Sequence, residues 1–153
     1  MFIKIITLIT ATGLIGATVA AGAAERATRK EAEAMVKKAV EAYKVGGEKT
    51  FADITAPSIT YVNKDLYIVV YDSTGKCVAH GHNAKQVGKE MIGMKDPDGK
   101  AFIRERVDLA KSKRSFWQEY KFTDPLTRKI LPKQVYCEKT DARMIICGGV
   151  YKE

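Results

Sequence analysis

Three strand-forming segments separated by short turns make up the carboxyl end of this chain. They are SFWQEYKF (115–122), ILPKQVYCEK (130–139) and RMIICGGVYK (143–152), with the turns TDPLTRK and TDA between them. Upstream, LYIVVYD (66–72) and KCVAHG (76–81) alternate around the turn at 72–75, which predicts a β-hairpin. Parallel strands need long crossover connections, so these short turns predict an antiparallel sheet of five strands.

Apolar residues at helical spacing are confined to three other segments. The run from Ala32 to Tyr43 predicts a long first helix over about 24–45, ended by two glycines. EKTFADIT (48–55) predicts a short second helix, which Pro57 stops, and AFIRERVDLAKSK (101–113) predicts a helix between the second and third strands. Helices segregated from consecutive strands indicate an α+β domain.

The amino terminus has the pattern of a secretory signal. Lys4 precedes an uncharged run over 5–24, and small residues at 21–23 form an Ala-x-Ala cleavage motif. We expect 1–23 to be a signal peptide that is removed, with a retained membrane anchor as the alternative because such a run can also span a bilayer. The remainder, 24–153, has the length of one domain and is predicted to be periplasmic or secreted.

Basic residues exceed acidic ones in the chain, with 26 Lys and Arg against 18 Asp and Glu. They are scattered and lack clustered basic-aromatic repeats, so nucleic acid is not an expected partner. Positive charge on an exported protein favours small anions as ligands. A solvated surface that keeps the protein soluble would give the same composition.

One cysteine and both histidines lie within 77–82. On a regular strand His80 and His82 share a face and Cys77 points to the other, so a metal site or a catalytic pair would need a bulge between them. The chain also lacks the usual motifs of serine hydrolases, zinc proteases, phosphate-binding loops and haem attachment. We therefore expect no metal, no cofactor and no enzymatic activity.

The order and spacing of several motifs resemble the single Cache domains, which are extracytoplasmic sensor modules. The motifs are D-x-x-G-x-x-x-x-H in DLYIVVYDSTGKCVAHGHNAKQVGKEM, then D-x-x-G-K, W-x-x-Y, P-x-T and K-x-x-Y in DPDGKAFIRERVDLAKSKRSFWQEYKFTDPLTRKILPKQVYCEK, and G-x-Y in IICGGVYK. The resemblance implies a PAS-like sheet with a pocket for a small carboxylate or another metabolite on one face.

Members of that family usually belong to chemoreceptors or sensor kinases, with a transmembrane helix after the domain. This chain ends at Glu153, directly after the last predicted strand. We therefore expect a free-standing binding module with a sensory or ligand-presenting role, and a membrane receptor as a candidate partner. The alternative is a structural or interaction module with a vestigial pocket, and the long first helix predicts a homodimer.

Five residues are predicted to border the pocket. The resemblance places His80 beside it, where an imidazole can donate to a carboxylate. Trp117 and Tyr120 are predicted as walls, Lys133 as the counter-charge of an anionic ligand, and Tyr136 as a hydroxyl group for the same ligand.

Each of these residues also has a structural interpretation. His80 would hold the following loop by a backbone hydrogen bond, with His82 exposed, and the aromatic residues would belong to the core. Lys133 would then be paired with Glu119 or Asp124 instead of a ligand.

Cys137 and Cys147 flank the turn of the last predicted hairpin. With a five-residue loop at 140–144 they would lie opposite each other or one register step apart, which is within reach of a disulfide. Export to an oxidising compartment favours this bond and leaves Cys77 free and buried. The alternative is three reduced cysteines in the apolar core.

Overall fold

The computed structural model of the chain describes residues 25–57, 59–141 and 143–152. The predicted signal peptide and its cleavage site lie outside these residues. In the described part, none of the helices has the length and apolar character needed to cross a membrane. The helices and strands of this part are α1 (Arg29–Gly46), α2 (Lys49–Thr55), β1 (Val62–Asn63), β2 (Leu66–Tyr71), β3 (Cys77–His80), α3 (Phe102–Ser112), β4 (Ser115–Thr123), β5 (Ile130–Lys139) and β6 (Ile145–Tyr151), with a 3-10 turn at Ala84–Gln86.

The strands form one antiparallel sheet in the order β1-β2-β6-β5-β4, and β3 also pairs with β2. β1 and β3 pair with successive parts of the same edge of β2, because Tyr67 pairs with Val62 and Val69 pairs with His80. The predicted α+β fold with a helix between the second and third main strands is confirmed. The two-residue strand β1 was not predicted, because it is too short to show a periodic pattern.

Both faces of the sheet are covered, and their side chains form separate cores. α1 and α2 pack on one face, where Val36, Val40 and Ile54 meet Ile68 and Ile146. α3 and the connection at 81–101 cover the other face. Because β2 is buried on both faces, its sequence LYIVVY is almost wholly apolar.

Helix α1 begins later than predicted because Thr28 caps it. The Glu31 amide donates to Thr28 Oγ1 at 3.2 Å, and the Thr28 amide donates to Glu31 Oε2 at 2.6 Å, which forms a capping box. The residue before the cap binds the turn between β1 and β2 instead, since the Ala27 amide donates to Asp65 Oδ1 at 2.7 Å. The backbone of Thr28 is therefore extended, with a φ of −95° and a ψ of 161°, and the helix starts after it.

The two D-x-x-G motifs form turns of the same design. Asp72 Oδ1 accepts from the amides of Thr74 and Lys76, and Gly75 has a φ of 87°. Asp96 Oδ1 likewise accepts from the amides of Asp98 and Lys100, while its Oδ2 accepts from the Lys121 amide at 3.0 Å. The second turn therefore attaches the connection at 81–101 to strand β4, over the face opposite α1.

Candidate functional site

A cavity of about 240 Å³ lies on the face of the sheet that α3 and the connection at 81–101 cover. Drug-sized ligands usually occupy pockets of about 300–1,000 Å³, so this cavity suits a smaller molecule. Its apolar lining consists of Val69, Met91, Met94, Phe102, Phe122 and Pro125. Its polar lining consists of Tyr67, Tyr71, His80, His82, Asn83, Gln86, Tyr120, Thr123, Arg128 and Lys133.

Lys133 is a buried cation that lines this cavity. Only 3% of the residue is exposed, and its Nζ lies 3.9 Å from the centroid of the Tyr67 ring and 4.8 Å from that of Tyr151. Among the described residues no carboxylate lies within 4.0 Å of Nζ, and none of them forms a hydrogen bond with it. Burial lowers the pKa of Lys133 well below its ordinary value, and the charge of Arg106 lowers it further.

Neither predicted protein partner forms an ion pair with Lys133. Glu119 instead binds Gln134 and the ammonium of Lys152. Asp124 accepts from Arg26 Nη2 at 3.1 Å, and the pKa of this carboxyl, which burial alone would raise, is held at about 2 by hydrogen bonds from Arg26 and from the loop at 126–127. The chain thus leaves the cavity-lining ammonium without a carboxylate contact among the described residues.

His80 both holds the following loop and lines the cavity. Its Nδ1 accepts from the amides of His82 at 3.2 Å and Asn83 at 3.0 Å. A neutral imidazole that accepts through Nδ1 carries its proton on Nε2, so Nε2–H remains available as a donor. Burial, with a further contribution from Lys133, lowers the pKa of His80 to about 3, so the ring stays neutral at physiological pH.

Two further groups lie where the cavity opens to solvent. His82 is exposed, as predicted, but its ring also packs 5.4 Å from the centroid of Tyr67 and lines the cavity. Arg128 lines the same side, with the left-handed φ of 64° that ends the turn after Asp124. Arg128 therefore gives this side of the cavity a positive charge, while burial and the neighbouring cations lower the pKa of His82.

Tyr120 forms a wall of the cavity, as predicted. Its ring stacks on Phe102 with a centroid distance of 4.0 Å and an angle of 5° between the planes. Behind this pair lies Arg106, which is fully buried, with its guanidinium 5.4 Å from the Tyr120 ring centroid and 5.1 Å from that of Tyr71. The guanidinium of Arg106 therefore lies against aromatic rings, and no carboxylate of the described residues forms an ion pair with it.

Trp117 and Tyr136 do not reach the cavity, which corrects the prediction for both. They pair across β4 and β5 on the opposite face, with ring centroids 5.4 Å apart, where they pack in the core beneath α1. Trp117 Nε1 donates to Glu33 Oε1 at 3.3 Å, and the Tyr136 hydroxyl donates to Glu138. Side chains three residues apart on a strand face opposite sides, so Tyr120 and Trp117 cannot share one wall.

The sequence pattern of the family described as "Single Cache domain 2" matches residues 6–153. The chain belongs to this family. Single Cache domains are extracytoplasmic sensor domains that bind small molecules and form parts of receptors.

Three solved structures share the Cache fold of this chain. A methyl-accepting chemotaxis protein from Vibrio parahaemolyticus RIMD 2210633 is 22% identical with a TM-score of 0.68, over 80% of this chain and 86% of that one. A Cache chemosensory domain, whose structure was solved to describe carboxylic acid recognition, is 22% identical with a TM-score of 0.68, over 81% of this chain and 92% of that one. The periplasmic sensor domain of a chemotaxis protein is 19% identical with a TM-score of 0.63, over 81% and 90%.

A curated relative is the sensor histidine kinase MctS of Rhizobium johnstonii (strain DSM 114642 / LMG 32736 / 3841). It is 33% identical over 89 residues, which are 58% of this chain and 19% of the kinase. This Cache chain therefore matches about a fifth of the kinase's length.

The cysteines of the Cache domain all lie on the cavity side of the sheet. Cys137 pairs directly with Cys147 across β5 and β6, and their sulfurs form a disulfide with a Cα–Cα distance of 4.1 Å. Cys77 is a buried free thiol whose pKa burial raises to about 11. The expectation that Cys77 faces away from His80 was wrong, because a bulge pairs Cys77 with Tyr71 and His80 with Val69, and these two partners face the same core.

This bulge does not create a metal site. Within the residues that the structure describes, no three His, Cys, Asp or Glu side chains are grouped so that they could hold a metal ion. His80 Nδ1 is occupied by backbone amides, and the Cys77 sulfur lies 3.5 Å from the Ala79 carbonyl oxygen.

Sequence reasoning missed the floor of the Cache pocket. The amino group of Lys133 lies over the Tyr67 ring. The Tyr67 hydroxyl donates to the Tyr151 hydroxyl, which donates in turn to the Thr123 carbonyl oxygen at 2.8 Å. The alternation of Tyr67, Val69 and Tyr71 along β2 places all three on one face, and this signal was available in the sequence. The lining from α3 and from 86–94 had no such signal, because it depends on how the connection folds over the sheet.

Proposed function

We propose that this Cache domain senses a small aliphatic monocarboxylate, bound with its carboxylate between Lys133 and His80. The observation that carries the proposal is the buried amino group of Lys133, which lines a cavity and contacts no carboxylate of the described residues. A buried charge is costly unless it is paired, so an anionic ligand would supply the missing partner.

The donors at this site match the acceptors of a carboxylate. Lys133 Nζ supplies charged N–H donors, and the fixed tautomer of His80 supplies a neutral one from Nε2. Hydrogen bonds to ionised groups are shorter and stronger than those between neutral groups, so the lysine would dominate the affinity and the histidine would orient the ligand.

The rest of the lining favours a short apolar substituent. Phe102, Phe122 and the two methionines of the cavity present carbon and sulfur to the ligand, and Val69 adds its methyl groups from β2. The small volume of the cavity limits this substituent to a few carbon atoms. Among similar folds, the Cache chemosensory domain solved with reference to carboxylic acid recognition supports the same ligand class.

We further propose that the domain works outside the cytoplasm and presents its ligand to a membrane receptor. The apolar run at 5–24 would direct export, with the mature chain starting near residue 24. Amino-terminal sequencing of exported protein tests this: a mature start near Ala24 supports cleavage, and a start at Met1 supports the anchor instead.

A homodimer through α1 is proposed with a polar interface. The helix buries Ala32, Val36, Ala39 and Val40 within its own domain, which leaves a charged face for a second copy. Light scattering with and without ligand measures the oligomeric state, and a monomer in both conditions contradicts this dimer.

The carboxylate proposal is tested by thermal shift, because a ligand that binds only the folded state raises the melting temperature. Propionate should stabilise the wild type and Lys113→Met, which removes an exposed lysine at the end of α3, but not Lys133→Met. Chromatography of the released propionate should return it unchanged, as expected of a sensor. Stabilisation by small amines instead of carboxylates would contradict the proposal, and stabilisation by neither would favour a structural module with a vestigial pocket.

A further inference from the structure

Two basic side chains are buried on the cavity side of the sheet without a carboxylate contact from any residue that the structure describes. Lys133 is 3% exposed and Arg106 is 0% exposed, and neither forms an ion pair within the described residues. Arg106 donates through Nε to Gln118 Oε1 at 3.2 Å, which is a neutral partner. With both groups protonated, the empty cavity would have an excess of positive charge in a region that water solvates poorly.

The groups around Lys133 do not cancel this excess. The carboxylates that act on it are Asp65 and Asp124, and both also interact with Arg26, at 3.7 Å and 3.1 Å. Other titratable groups on this side include Arg106, Arg128, His80, His82, Tyr67, Tyr71, Tyr120, Tyr151 and the free thiol of Cys77, whose pKa burial raises to about 11. Burial raises the pKa of Tyr67, Tyr71 and Tyr151, so these phenols stay neutral and provide no anion.

Lys133 and Arg106 differ in whether they can lose their charge when they are buried. A guanidinium stays protonated in proteins, whereas a buried lysine can release its proton and become a neutral amine. Burial and the charge of Arg106 both favour the neutral amine of Lys133, while the contacts with aromatic rings and the two more distant carboxylates favour the ammonium. Burial is the largest of these effects.

We propose that Lys133 is an uncharged amine in the empty domain and takes up one proton from solvent when a carboxylate binds. The inference rests on the proposed carboxylate site and adds its coupling to pH. The bound state contains the ionised ligand and the lysine ammonium, so one proton is consumed for each ligand bound. The sensor would then respond to carboxylate and acidity together, with a higher affinity as the medium acidifies.

The number of protons taken up on binding determines how strongly the affinity depends on pH. Where binding consumes one proton, the dissociation constant rises tenfold for each unit of pH increase, as long as the empty domain has a neutral lysine and the complex has a charged one. A carboxylic acid with an ordinary pKa is ionised well above pH 5, so above that pH the ligand does not contribute the change.

Calorimetric titration with propionate in two buffers of different protonation enthalpy measures this proton directly. We expect the wild type to take up close to one proton per ligand between pH 6.5 and 8. Lys133→Arg, which keeps a permanent cation, should bind without proton uptake or lose binding through its larger side chain. Ethanesulfonate, which stays ionised, should show the same uptake as propionate in the wild type, because the proton goes to the protein.

The empty domain provides a separate test. Protein labelled with carbon-13 at the lysine ε-carbons, with Lys133→Met to assign the resonance, reports the charge of Lys133 without any ligand. A Lys133 resonance that titrates near the ordinary lysine value overturns the inference, whether or not propionate binds. Propionate binding without proton uptake overturns the inference and leaves the proposed function standing. A neutral Lys133 in a protein that binds no carboxylate overturns the proposed function and, with it, the coupling.

Discussion

The Nζ of Lys133 lies 3.9 Å from the centroid of the Tyr67 ring, although strand β6 separates the strands of these two residues. The lysine crosses β6 at Gly149, which pairs with Tyr67 on one side and with Val135 on the other. A β-carbon at Gly149 would lie 2.9 Å from Lys133 Cε. The absence of a side chain at this position allows the lysine to extend across the floor of the cavity.

Gly149→Ala is predicted to displace Lys133 and weaken ligand binding. The new methyl group would also lie 2.5 Å from Val135 Cγ2, so we expect a loss of about 1–3 kcal/mol in the free energy of unfolding. Gly148→Ala is the matched control, since its methyl group points to the other face and meets Val36 and Ile68 at 3.1 Å. Urea denaturation and propionate titration should show that the control loses some stability but keeps its affinity. Equal losses of affinity in both variants would contradict this role of Gly149.

Lys133→Met is predicted to stabilise the protein while it abolishes binding. A buried amine without a hydrogen-bond partner is costly, so replacing it by an apolar side chain of similar length should be neutral or stabilising by about 1–3 kcal/mol. Because the pKa of Lys133 is lowered in the folded state, the unfolded chain binds more protons between that pKa and about 10.4, so wild-type stability rises with pH in this window. Denaturation from pH 7 to 10 should show a smaller rise for the variant. A variant less stable than the wild type would indicate that an internal anion pairs with the lysine.

His80 is predicted to make the domain sensitive to acid. Its pKa is lowered to about 3 in the folded state, so between pH 6.5 and 3 the unfolded chain binds more protons and stability falls as pH falls. Each unit of difference in pKa is worth about 1.4 kcal/mol. His80→Asn can keep an acceptor for the amides of His82 and Asn83 but does not titrate, so the stability difference from the wild type should change between pH 7 and 4. A constant difference would show that the histidine stays partly hydrated.

The disulfide between Cys137 and Cys147 is predicted to persist in the exported protein. Thiol counting on the unfolded, unreduced mature protein should find one free thiol, which belongs to Cys77. The bond closes a short loop, so its loss in Cys137→Ser should cost about 2–3 kcal/mol of stability. Three free thiols in the wild type would rule out the bond.

Two aromatic residues three positions apart on β4 are predicted to have different roles. Tyr120→Leu removes the ring that stacks on Phe102 at the cavity wall, and we expect propionate affinity to fall about threefold to tenfold. Trp117→Leu changes the face beneath α1 and should reduce stability by about 1–3 kcal/mol without altering affinity. A comparable loss of affinity in Trp117→Leu would indicate that the ligand binds on the face beneath α1, which contradicts the proposed site.

The sequence alone predicted the three helices, the five longer strands and the order in which they occur, but not the two-residue strand β1. Periodicity is a local property, so LYIVVY and ILPKQVYCEK indicate strands and FIRERVDLAKS indicates a helix without knowledge of their neighbours. The spacing of Cys137 and Cys147 around a short turn is also local, and it was sufficient to predict that they lie near each other. Trp117 and Tyr120 are three residues apart on one strand, so the sequence already showed that they face opposite sides of the sheet. The predicted site nevertheless placed both on the wall of one pocket.

Only the tertiary structure decided which side chains meet at the cavity. The bulge in β3 shifts the register by one residue, and such a shift reverses the face of Cys77 relative to His80. Strand β6 lies between β2 and β5, although it comes last in the chain, and this order brings Lys133 over Tyr67. Whether a buried lysine has an anion depends on side chains far away in the sequence, such as Asp65 and Asp124, and their positions follow from packing and not from local pattern.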